Sequence, residues 1–162
     1  MAANRAVVTV SASLLPDDIK TSISGTTVYD LNDIGNTNGW LYYANTVGTS
    51  AGPIMSDGLS YIGGAPSGDE NDVLDADVDD LGFLVIKHSG YRGDGTTVST
   101  DKLYLNIAHG VDAAPAAGAL ILEAGEVWWG RFYHSDIADI SLEASANDIK
   151  ALIWAVTDDG GV

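Results

Sequence analysis

The chain has 162 residues, 23 acidic against 7 basic side chains for a formal charge of −16, and no cysteine. A chain of this length suits one domain that buries roughly 70% of its unfolded surface without staples. The absence of cysteine removes disulfides, thiolate metal sites and cysteine nucleophiles, and the negative charge repels phosphate backbones and anionic membranes, so neither nucleic acid nor a membrane is an expected partner. Disorder does not explain the charge, because 46% of residues are hydrophobic and only 19% charged.

The N-terminal stretch has Arg5 as its one early basic residue and lacks an apolar h-region, so it reads as unprocessed. Residues 5–11 (RAVVTVS) form a β-branched run and a first strand. Residues 14–19 (LLPDDI) suit one helical turn, with Pro16 at its start. Residues 21–31 are rich in Thr, Ser and Val and read as a strand interrupted near Gly25, and residues 32–39 (NDIGNTNG) as a loop of turn residues. Residues 40–47 (WLYYANTV) read as an aromatic strand. Residues 48–72 are a long Gly-containing loop with a short strand near 59–62, and residues 69–80 (DENDVLDADVDD) are the densest acidic run.

Residues 81–88 (LGFLVIKH) are the clearest strand, followed by a Gly-rich turn over 89–97. Residues 102–108 alternate Leu103, Leu105 and Ile107 with Tyr104 and Asn106, the pattern of a half-buried strand. A small-residue loop over 109–118 leads into residues 119–132 (ALILEAGEVWWGRF). Two apolar runs around Glu123-Ala124-Gly125-Glu126 predict a β-hairpin. Side chains alternate along a strand, so Trp128 and Trp129 point to opposite faces. Trp128 shares parity with Gly130 and Phe132 and is expected inward. Trp129 shares parity with Val127 and Arg131, a mixed face suited to a contact; the plainer reading is that both tryptophans are buried within one subunit. Residues 135–144 fit either a helix capped by Ser135 or a strand through Ile140 and Leu142, and residues 149–157 (IKALIWAVT) close the chain as a strand.

Short strands separated by Gly-, Pro- and Asn-rich turns predict an all-β fold: an antiparallel β-sandwich or jelly-roll-like arrangement with long Gly-rich loops and at most one short helix. A single domain over residues 1–162 is expected, with residues 1–20 as a candidate N-terminal arm.

Catalytic signatures are missing. There is no G-x-S-x-G elbow, and the Gly-rich stretch 90–95 lacks the Lys-Ser/Thr of a phosphate loop. Glu123 and Glu126 form a carboxylate pair, but at a predicted turn where acidic residues are solvated. Asp75, Asp77 and Asp79 match the opening of a calcium-binding EF-hand loop, but Asp80 stands where Gly is needed and Ile86 where the bidentate Glu is needed. They are weak metal candidates, best read as a solvated acidic run. His88, His109 and His134 have no metal-ligand spacing. Arg92-Gly93-Asp94 is an adhesion-type tripeptide that a turn explains better. No catalytic residue and no cofactor is expected.

The succession FLVIKHSG, DKLYLNI, ILEAGEVWWGRF, SDIADI and IKALIWAV, over residues 81–156, resembles small β-rich virion structural proteins of tailed bacteriophages, most of all capsid decoration (cement) proteins. The resemblance implies a non-enzymatic protein made in the host cytoplasm and carried in many copies on the capsid exterior. It would bind across capsomers, with the major capsid protein and copies of itself, such as a trimer, as partners. Interface candidates are Trp129, Arg131, Trp40 and Tyr43. The competing readings are a carbohydrate- or cation-binding β-sandwich module, with Trp40, Tyr42, Tyr43 and Trp129 as a sugar platform, and a tail- or fibre-associated virion protein.

Overall fold

The computed structural model describes residues 5–13, 22–30, 32–33, 36–37, 39–56, 58–60, 74, 79–107 and 119–159. It is an antiparallel β-sandwich. The front sheet runs β10 (Val127–Asp136), β7 (Asp79–Arg92), β12 (Ile149–Asp159), β5 (Gly39–Val47). The back sheet runs β6 (Gly52–Pro53), β11 (Ser141–Ala144), β8 (Leu103–Asn106), β9 (Leu120–Leu122). A separate ribbon pairs β1 (Arg5–Ser13) with β2 (Ser22–Asp30), and Asn32–Asp33 (β3) pairs with Asn36–Thr37 (β4). The helical content of the described residues is one 3-10 turn, Ile137–Asp139.

Strand alternation builds the core between the sheets. Leu41, Leu84, Ile86, Ala151, Ile153 and Ala155 face inward from the front sheet, and Leu103, Leu105, Leu122, Leu142 and Ala144 meet them from the back sheet. Each fully buried Leu or Ile contributes about 1.5–3 kcal/mol relative to exposure. In the back sheet the opposite faces of β8 and β11 carry Tyr104, Asn106, Ser141 and Glu143, all half-buried. The front sheet differs. Phe83 and Val156 on its outer face are fully buried too, with Val8 of the ribbon packed against them. Both faces of β7 and β12 are therefore apolar, which is why 81–86 and 151–156 read as nearly continuous hydrophobic runs.

Several sequence expectations change. β9 and β10 do not form a hairpin: β9 pairs with β8 and β10 with β7, so residues 123–126 arch from one sheet to the other. The turn itself is as predicted, with Glu126 N–H donating to Glu123 C=O at 2.9 Å and Gly125 at φ +87° in the position a type II turn requires. Its outer edge then docks on β7: Gly125 N–H donates to His88 C=O and Glu126 C=O accepts from His88 N–H, each at 3.0 Å. Those bonds commit the chain to the front sheet.

Residue Gly25 does not interrupt β2, where it sits in register opposite Val10. The loop over 32–39 contains the β3–β4 pair. Ser135 lies within β10 rather than capping a helix, and 141–144 form a strand. β7 continues beyond His88 to Arg92, past a register shift opposite Ile149–Ala151. The predicted turn over 14–19, the loop over 109–118 and most of the 48–72 and 69–80 stretches lie outside the described residues. Leu59 and Leu74, which bracket part of them, are joined by a backbone hydrogen bond of 2.8 Å.

Candidate functional site: the outer face of the front sheet

Antiparallel register places side chains of the front sheet in rows. Trp129 lies opposite Val85, Val85 opposite Trp154, and Trp154 opposite Tyr42, one residue from each of the four strands. The next row is Arg131, Phe83, Val156 and Trp40. Paired residues share a face, so these rows form one aromatic surface. Phe83 sits beneath it, stacked with Trp129 at 6.1 Å between ring centres and edge-on to Trp154 at 5.5 Å. Trp129, Trp154 and Trp40 are half-buried, whereas Tyr42 is 51% exposed. An apolar groove of about 320 Å³ runs between this face and the ribbon, lined by Val7, Val8, Val85 and Trp154.

Three of the four interface candidates, Trp129, Arg131 and Trp40, thus share this surface. Tyr43 does not. It lies on the inner face, where its phenol donates to Ile54 C=O and ties β5 to the segment after β6. Burial raises its pKa above the ordinary tyrosine value. Trp154 was missed from the sequence. The signal was present in the parity of IKALIWAVT, since Ile153 and Ala155 must face the core and Trp154 the other side. Trp128 packs on the inter-sheet core with Phe132, their rings edge-to-face at 6.1 Å.

The polar candidates are satisfied locally. His88 is fully buried in β7; its Nδ1 accepts from Gly90 N–H at 3.0 Å and its Nε2 donates to Asp101 C=O at 3.0 Å. Both ring nitrogens are used by the backbone, so its role is to fix the end of β7. Glu126 Oε2 accepts from Glu123 N–H at 2.8 Å, and Glu123 Oε1 lies 3.7 Å from Lys102 Nζ in an exposed pair. The two carboxylates hold the arch rather than converge on a cleft.

In the adhesion-type tripeptide, Asp94 accepts from Thr97 Oγ1 at 2.6 Å and from the Thr96 and Thr97 N–H groups at 2.8 Å each. These bonds, led by the Thr97 hydroxyl, lower its pKa to about 2. Both carboxylate oxygens serve the turn. A polar cleft of about 440 Å³ beside it is lined by Thr46, Arg92, Gly93, Asp94 and Asp148.

Asp75 and Asp77 lie outside the described residues and Asp79 begins β7. Among the described residues no three His, Asp or Glu side chains gather as a metal site would need, and no helix is long and apolar enough to cross a membrane. His109 is outside the described residues, and His134 lies in β10. No protein family model matches the chain, and neither a curated protein nor a solved structure matches it.

Proposed function

We propose that this chain is a non-enzymatic virion structural protein that decorates a phage capsid from the outside and stabilises it by binding across capsomers. The observation that carries the reading is the Trp129–Val85–Trp154–Tyr42 row. Aromatic side chains clustered on a rigid sheet are the residues that anchor protein interfaces. The resemblance of residues 81–156 to decoration proteins supplies the kind of partner, the major capsid protein. The excess of acidic residues suits docking on a basic surface and keeps many copies soluble before assembly.

A second reading, a carbohydrate-binding module, is favoured by one feature, the exposed Tyr42 beside Trp154. Copy number and affinity separate the two. Purified particles of the encoding phage should carry the chain in a fixed stoichiometry with the capsid protein, as gel densitometry reads it. Tyr42→Ala and Trp154→Ala should weaken rebinding to stripped particles by about 2 kcal/mol each, roughly thirtyfold. A chain absent from particles that binds glycans through the same residues contradicts the proposal, and a few copies per particle would point to a tail or fibre position.

A further inference from the structure

Among the described residues each sheet of the sandwich has two edge strands, and three of the four are blunted. β6 is two residues long and contains Pro53, β9 is three residues long, and β10 carries Arg131 and loses register with β7 between Arg131 and Ser135. Short length, proline, charge and irregularity are the devices that keep sheet edges from pairing with other chains. β5 has none of them. It is nine residues long, contains no proline and no charged side chain, and pairs with β12 from Gly39↔Thr157 to Val47↔Ile149 without a register shift. Among the described residues β12 is the one strand hydrogen-bonded to it, which leaves the other side of β5 without a partner strand among them.

We propose that β5 pairs with β5 of a second copy, antiparallel about a twofold axis, to join the two front sheets into one. The occupant is identified by charge and symmetry. Two copies with a formal charge of −16 each repel over most of their surfaces, and GWLYYANTV is a nine-residue stretch where they meet without a single charge. An antiparallel strand placed against itself also matches each outward N–H to an outward C=O without a complementary sequence elsewhere. The joined sheet would bring the exposed Tyr42 of both copies to the seam and extend the aromatic face across it. This rests on the reading of the chain as an assembly subunit and adds a contact between copies to the proposed capsid binding. It is tested without capsids, so its failure is separable from failure of particle binding.

The experiment is sedimentation of the full chain over a concentration series, with amide hydrogen exchange read over 39–47. A dimer of twice the 16.8 kDa chain mass is expected, strengthened by salt, which screens the like charges. Ala44→Lys, at an exposed outer-face position, should abolish the dimer while leaving the melting temperature unchanged. In the wild-type chain, the fast-exchanging alternate amides of β5 should become protected as concentration rises, a readout that needs no variant. A monomer at every concentration, a trimer, or a dimer formed equally by the Ala44→Lys chain or without new protection in β5 overturns the proposal.

Discussion

A methyl group built at Gly130 would lie 2.5 Å from Cη2 and 2.9 Å from Cζ2 of Trp128, because the indole lies across the glycine on its way to Phe132. Gly130→Ala should therefore displace the ring and cost about 1–3 kcal/mol by overpacking, read by urea denaturation; an unchanged midpoint would mean the ring does not lie there. Trp128→Ala, on the inter-sheet core, should cost about 3 kcal/mol. Trp129→Ala, on the outer cluster, should cost about half of that, its loss falling mainly on the stacked pair with Phe83. Equal losses would contradict the two-faced arrangement. Alternation alone separated the two tryptophans in VWWGRF. That the outer face carries its own buried cluster was not legible, since it depends on Phe83, Trp154 and Val156 meeting through long-range pairing. At Asp94 the folded pKa is depressed, so what its ionised form contributes is complete above the ordinary carboxylate pKa and is lost as pH falls through about 2. Carboxylate NMR titration should find its midpoint near that value and find it higher in Thr97→Val; an ordinary midpoint in the wild-type chain would remove the turn described here.

Most strands follow from pattern, and their partners do not. Residues 81–88 and 149–157 were legible as strands because their apolar runs are bounded by turn residues. The arch at 123–126 has the composition of a hairpin turn, and only the backbone of His88 on one side and β8 on the other decide that β9 and β10 part. Two substitutions probe this junction. Gly125→Val places a β-branched residue at φ +87° and should cost about 1–2 kcal/mol or more. His88→Leu leaves Gly90 N–H and Asp101 C=O without the ring that joins them and should cost about 2 kcal/mol or more. Both are read by thermal or urea unfolding; a neutral Gly125→Val would mean the turn does not hold that residue at positive φ, and a neutral His88→Leu that the ring does not join Gly90 to Asp101. A buried histidine spent on backbone groups leaves no spacing signal, which is why His88 looked like any isolated histidine.

At the scale of the molecule, the front sheet gathers aromatic side chains on its outer face, with Arg131 among them. A chain of formal charge −16 keeps an aromatic face on its front sheet and a charge-free strand at one edge of that sheet. The sandwich class was legible from strand count and turn chemistry, but nothing in the sequence could say which strands share a sheet, and so which aromatics gather. If the proposed function holds, phage particles carry the chain, and their cryo-electron microscopy reconstruction tests the account most directly. It should place the β-sandwich at repeated symmetric positions across capsomer boundaries, with Trp129, Trp154 and Tyr42 turned against the shell. Particles without this density, or with the aromatic face turned to solvent and the opposite face against the shell, would contradict it.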